Sequence, residues 1–189
     1  MKVVETALPE VKIVMPQRFG DARGYFSETY RRDRYAAAGI DAAFLQDNHA
    51  HNRDAGVVRG LHFQSPPHWQ AKLVRVAAGR IFAVGVDLRP SSPRFGRHAA
   101  ATLTAAEGEQ FYLPTGFAFG YCTLEAGCDV LYKVSDYYAP ALDRGLAWDD
   151  PDLAIAWPVA PAAAILSDKD RRHPRLKDLP RDWLMGGVA

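Results

Sequence analysis

The chain has 189 residues, enough for one domain with a full hydrophobic core, and we expect a single domain over residues 1–189. Apolar residues make up 48% and charged residues 24%, the balance of a globular protein rather than a disordered one. Lysine plus arginine total 23 against 22 for aspartate plus glutamate, so there is no global electrostatic case for a nucleic-acid or anionic-membrane partner, and any anion site must be built locally.

Along the chain, short runs rich in β-branched and aromatic residues recur at 11–14, 72–76, 80–88, 101–104, 110–113 and 129–134. Turn residues punctuate them, such as Ala78-Gly79, Arg89-Pro90-Ser91-Ser92-Pro93 and Ala126-Gly127. That spacing predicts an all-β sandwich or barrel. One helix is expected over 27–38, with Ser27 as its N-cap, Tyr30, Tyr35 and Ala38 near helical spacing, and Gly39 as its stop. The stretch 167–170 reads as the cap of a short C-terminal turn. No run reaches the roughly 18 apolar residues of a membrane span, and 1–6 lacks a signal-peptide core. Two cysteines, Cys122 and Cys128, make no disulfide framework, so a soluble protein of the reducing cytoplasm is expected.

The densest polar cluster runs over 46–52 and is followed by Arg59-Gly60-Leu61-His62 and then Lys72. Strand alternation puts Arg59 and His62 on opposite faces, so one cavity collects both only through a bend, which Gly60 supplies. A histidine, an arginine and a lysine on neighbouring strands offer a base near neutral pH and two cations. From periodicity alone, His62 reads equally as a satisfied core histidine. His49 and His51, two apart, raise a metal question, but the only carboxylate that closely follows them is Asp54, and a later strand carries Phe119 where a third histidine would be sought. Surface histidines are the better reading.

Nine blocks occur in one order: 19–28, Gln46-Asp47-Asn48, Arg59-Gly60-Leu61-His62-Phe63-Gln64, Gln70-Ala71-Lys72, Val86-Asp87-Leu88-Arg89, Pro114-Thr115-Gly116-Phe117-Ala118, Tyr132-Lys133 with Tyr137-Tyr138, Trp148-Asp149-Asp150-Pro151, and 166–170. In this the chain closely resembles the dTDP-4-dehydrorhamnose 3,5-epimerase family from about Phe19 to Asp170. The resemblance implies a cupin-like jelly roll with a few short peripheral helices, no cofactor, no metal, a dTDP-sugar substrate and a homodimer. It implies His62 as base, Tyr132 as acid, Lys72 at the enolate oxygen and Asp170 as the carboxylate behind the histidine.

Arg23, Arg59 and Lys169 correspond to diphosphate and nucleotide contacts. Gln46, Asp47, Asn48 and Glu28 correspond to nucleotide or sugar contacts, and Tyr138 to the aromatic that stacks on thymine. Asp143 stands where the family usually has glutamate. Phe19 and Arg23 are expected to complete a neighbour's site. Two departures stand out: Phe119 replaces a histidine and Ala83 an aspartate, which implies a more apolar pocket wall. The expected activity is epimerisation of a nucleotide-linked 4-keto-6-deoxyhexose at C3 and C5. The alternatives are inversion at C3 alone, a metal-dependent cupin isomerase or dioxygenase using His49, His51 and His62, and a silent nucleotide-sugar binding protein.

Overall fold

Alternating and β-branched runs bounded by glycine and proline can satisfy their backbone only by pairing with one another, and the computed structural model, which describes residues 1–185, pairs them almost completely. In chain order its elements are β1 (Lys2–Glu5), β2 (Lys12–Met15), β3 (Arg18–Asp21), β4 (Gly24–Ser27), the helix α1 (Arg32–Ala37), β5 (Gln46–Asn52), β6 (Val58–Gln64), β7 (Lys72–Ala78), β8 (Arg80–Asp87), β9 (His98–Thr104), β10 (Gln110–Leu113), β11 (Phe117–Thr123), β12 (Cys128–Val134) and β13 (Asp143–Gly145). Short 3-10 turns follow toward the C-terminus.

Six strands form one sheet in the order β1-β2-β10-β7-β12-β5, and five form the other in the order β13-β6-β11-β8-β9. The pairings between these strands are antiparallel, and a single parallel bridge joins Val57 to Ile165. The hairpin β3–β4 stands apart from both sheets. This is the nearly all-β, cupin-like sandwich expected.

Period-two alternation decides which side chains fill the space between the sheets. Val74, Val76, Phe111, Leu113 and Val130 point inward from the six-stranded sheet and meet Ile81, Ala83, Leu103, Phe117 and Phe119 from the other. The opposite faces are covered too. Val84, Val86, Leu61 and Phe63 pack under the C-terminal segment through Leu146, Leu153, Leu179 and Leu184. Val14, Leu73 and Tyr112 pack under Tyr35 and Ile40. Strands buried on both faces explain the near-continuous apolar run of β8.

The helix is shorter than its sequence signal. Ser27 ends β4, pairs with Arg18 and donates its hydroxyl to Gln17 O at 2.9 Å, so it is not available as a cap. The helix begins after Arg31 with no side-chain cap and gives way at Gly39, whose φ is 76°. The polar cluster 46–52 is an edge strand. The 167–170 expectation holds: Asp170 N donates to Ser167 Oγ at 3.1 Å, opening a single 3-10 turn, Asp170–Arg172. Cys122 and Cys128 are buried free thiols in different apolar clusters. Among the described residues no helix is long and apolar enough to cross a membrane.

Asp87 closes β8 with a side chain that is 0% exposed. It accepts hydrogen bonds from Arg89 Nη2 at 2.7 Å, Arg89 Nε at 2.9 Å, Arg89 N at 3.0 Å and Ser92 Oγ at 2.6 Å. Burial pushes its carboxyl up, but these donors and the Arg89 charge outweigh it and hold the group below the usual aspartate value. Asp87→Ala leaves Arg89 without its main partner and should cost about 3 kcal/mol in urea unfolding at pH 7. Because the folded value is the lower one, the Asp87 contribution is present at neutral pH and fades as pH falls below about 4. The gap between wild type and Asp87→Ala should therefore narrow in acid; a gap that stays constant between pH 7 and pH 3 refutes this.

Candidate active site

Simple alternation would turn Arg59 and His62 to opposite faces, yet both point inward. Tyr121 pairs with Arg59 and Phe119 with His62, so three steps along β6 are matched by two along β11, a β-bulge. Gly60 sits in it at φ 111°, and a Cβ there would lie 2.6 Å from Phe119 O and 2.8 Å from Gly120 Cα. Only glycine fits that backbone conformation and that close approach.

The bulge directs the half-buried His62 ring toward Asp170, with Nε2 2.5 Å from Oδ1. With Nε2 committed to the carboxylate, Nδ1 is the nitrogen left to take a proton. Asp170 also accepts from Ser167 Oγ at 2.9 Å and lies 3.2 Å from His173 Nε2. Burial alone would raise its carboxyl, but the hydrogen bonds of His173, His62 and Ser167 and the charge of His62 hold it far below the usual aspartate range. It is a fixed anion.

The facing sheet supplies most of the rest. Lys72 on β7 and Tyr132 on β12 line the same hollow of about 320 Å³ as His62, together with Gln46 and Asn48 on β5, Gln64 on β6 and Asp143 on β13. Lys72 is buried and donates to Gln70 Oε1 at 2.9 Å. Desolvation lowers its ammonium to about 8, partly opposed by the Asp143 charge. Burial raises the Tyr132 phenol, with Arg59 opposing and Asp143 adding, so its proton is present at neutral pH.

A second hollow of about 470 Å³ lies on the other side of His62 and is lined by Arg59, Lys169 and Asp170. Arg59 Nε donates to Asn52 Oδ1 at 2.8 Å, which fixes the guanidinium. Asp143 joins the two hollows, accepting from Tyr138 Oη at 3.0 Å and pairing with Lys169 Nζ. Tyr138 exposes its ring at the rim. Phe119 and Ala83 are diagonal neighbours on β11 and β8, buried in the apolar cluster between the sheets.

Twelve of the residues expected from the sequence therefore gather around or beneath one site; the others do not. Asp47 falls on the outer face of β5 and pairs with Lys133 Nζ at 2.8 Å. His49 and His51 both approach Asp129 Oδ1 from that outer face, at 3.0 and 2.8 Å; His51 borders the second hollow, but among the described residues neither belongs with His62 to a group at metal-ligand spacing. Phe19 and Arg23 lie on the detached hairpin, Arg23 paired with Asp21, and Glu28 pairs with Arg34 at 3.3 Å.

Four partners escaped the sequence reading as site residues: Asn52, Gln70, Ser167 and His173. Asn52 extends the Gln46, Asn48 alternation and was detectable on that basis; His173 had no local signal. The nitrogens of His62 and His173 and the Asp170 oxygen are also within 4.8 Å of one another, the spacing of metal-ligating groups. Their separations of 2.5 and 3.2 Å from Asp170 are those of hydrogen bonds. A base and an acid from opposite sheets with a buried ammonium lining the same hollow are equipped for proton transfer at a carbon next to a carbonyl.

Comparison with known proteins agrees. Residues 5–178 match the family model described as dTDP-4-dehydrorhamnose 3,5-epimerase. The dTDP-4-dehydrorhamnose 3,5-epimerase of Neisseria gonorrhoeae is 46% identical over 90% of this chain, which spans 51% of that relative's length. Among solved structures, dTDP-6-deoxy-D-glucose-3,5-epimerase from Legionella pneumophila, in complex with dTDP-4-keto-L-rhamnose, superposes with a TM-score of 0.92 at 40% identity, covering 97% of this chain and 96% of that one. A 3'-monoepimerase from Streptomyces bikiniensis, in complex with dTDP-quinovose, gives 0.83 at 32% identity, covering 92% and 87%.

Lysine labelling tests the electrostatics directly. The Lys72 amine should titrate near pH 8 by NMR, well below ordinary lysines at about 10.4. The low resonance should vanish in Lys72→Met. A spectrum in which every lysine titrates above pH 10 contradicts the buried-ammonium assignment.

Proposed function

This chain belongs to the dTDP-4-dehydrorhamnose 3,5-epimerase family, and from that premise we propose that it inverts a dTDP-linked 4-keto-6-deoxyhexose at C3 and C5 through an enolate. The observation that carries this reading is the placement of His62 and Tyr132 on facing sheets around one hollow with Lys72. A sugar ring held between the sheets meets the base on one face and the acid on the other.

His62 Nδ1 takes the hydrogen on the carbon beside the C4 ketone as a proton. The bonding pair moves toward the carbonyl, and the developing oxyanion is met by the Lys72 ammonium, which at neutral pH is still mostly charged. That charge is little screened in its buried setting, where it stabilises the oxyanion more than it would in water. The Tyr132 hydroxyl then gives its proton to the same carbon from the opposite face, which inverts the centre. Solvent resets imidazolium and phenolate before the second carbon reacts. Asp170 keeps the His62 tautomer fixed and stabilises the imidazolium.

Arg59 and Lys169 receive the diphosphate, Gln46 and Asn48 contact nucleotide or sugar, Tyr138 stacks on the base, and Asp143 holds Tyr138 and Lys169 in place. The hairpin β3–β4 exposes Phe19, Tyr25 and Phe26 at 54, 60 and 69%. That apolar surface supports a homodimer in which Phe19, Arg23 and Glu28 complete the partner subunit's site. Two reduced, buried thiols suit the cytoplasm.

The test is position-resolved deuterium uptake from solvent into dTDP-4-keto-6-deoxyglucose. Wild type should label C3 and C5. His62→Ala should lose about a hundredfold or more in rate. Tyr132→Phe should exchange hydrogen from the His62 side while inverting little. Label at C3 alone assigns the C3-only reaction of the Streptomyces bikiniensis type, and a folded wild type that takes up no label overturns the epimerase reading. If the partner's hairpin completes each site, Phe19→Ala with Arg23→Ala should raise KM or remove activity although neither residue lines its own chain's hollow. Unchanged kinetics in that double variant count against the dimer.

A further inference from the structure

His173 lies outside every role assigned above, yet it is as firmly built into the site as the catalytic pair. Its side chain is 8% exposed, and its Nε2 lies 3.2 Å from the same Asp170 oxygen that His62 approaches at 2.5 Å. The two imidazoles stand edge to face, with ring centroids 5.6 Å apart. Gly145, which pairs across β13 from His62, makes room for it: a Cβ at 145 would come within 2.2 Å of His173 Nε2. Ala147 N donates to Pro174 O at 2.8 Å, fastening the chain beside the ring.

Resting on the proposed reaction, we propose that His173 is a positioning residue for it: as a neutral Nε2–H donor, it shares the Asp170 carboxylate with His62 and so sets the strength of the base. An anion that accepts from two imidazoles on one oxygen and from Ser167 on the other is pinned in rotation. It also offers His62 less negative charge than it would if His62 were its only imidazole partner. A weaker carboxylate partner keeps His62 from holding its proton too tightly at neutral pH, where Nδ1 must be empty to begin the reaction. The hydrogen bond from His173 is among the contacts that hold the Asp170 carboxyl down.

Other charged and titratable groups flank the pair. On the sugar side these are Lys72, Tyr132, Tyr138 and Asp143. On the other side they are His51, Arg53, Arg59 and Lys169. All remain in the variants below, so a change in pH profile reports on His173.

Removing the donor with His173→Phe should leave Asp170 more basic toward His62. The acid limb of the pH profile for kcat/KM in hydrogen exchange should then move to higher pH, with a loss of about tenfold at neutral pH. His173→Gln, which can still donate an N–H, should return the limb toward its wild-type position. A His173→Phe profile that superimposes on wild type overturns the proposal, as does an equal rate loss in both variants with the limb unmoved, the mark of packing alone. A measurement on the unaltered protein guards against a misfolded variant and does not depend on turnover. In long-range 1H–15N spectra at pH 7, His173 should be neutral with its proton on Nε2. A proton on Nδ1 alone excludes donation to Asp170 and ends the proposal even if the epimerase reading stands; absence of wild-type exchange ends that reading without touching the tautomer.

Discussion

One extra residue in β6 is the constraint on which the site depends. Because three steps of β6 oppose two of β11, Arg59 and His62 enter the sandwich from one strand on one side, and the segment carrying Asp170 meets His62 there. A regular strand would send one of them into the apolar layer beneath the C-terminal segment, where Leu61 and Phe63 pack. The bulge is therefore fixed from both directions, by the closeness of Phe119 O to Gly60 and by the register of the neighbouring pairs.

The same sandwich interior serves two purposes at different depths. Along β7 the inward positions pass from Lys72 to Val74 and Val76, and along β12 from Tyr132 to Val130 and Cys128. The apolar positions fill the space between the sheets, and the polar ones line its open end. Lys72 feels this proximity directly, since the desolvation that lowers its ammonium comes from burial beside the apolar layer. Phe119, which pairs with His62 across the bulge, and Ala83 belong to the apolar layer, whereas His62, Lys72 and Tyr132 line the hollow.

The fold class and most strands were legible because alternation and turn residues are local. Strand 110–113 has the bounds read from sequence, and those of 72–78, 80–87 and 128–134 differ only by a residue or two at their ends. The start of the helix was misread because Ser27 carries a good capping side chain but is held by Arg18 across a hairpin, and that contact is tertiary. The site was legible through motif order for His62, Lys72, Tyr132 and Asp170. Asp47 shows where motif order fails: adjacent to Asn48, it must point the other way in any strand. His173 and Gln70 stand only three and two residues from Asp170 and Lys72, but whether side chains at that spacing meet depends on the turn and strand geometry around them, which residue identity does not give.

Strand β5 is one of the two outer strands of the six-stranded sheet, and among the described residues one of its edges has no neighbouring strand. Such an edge invites pairing with another molecule's strand, the route by which β-proteins aggregate. Here its inward positions hold Gln46, Asn48 and Asn52, and its outward ones Asp47, His49 and His51. A strand polar on both faces has no apolar stripe to offer a stray partner. The side chains that supply hydrogen bonds around the hollow are therefore also the ones that leave this edge without an apolar stripe, so apolar substitutions at these positions would both remove those bonds and make the edge more prone to pairing.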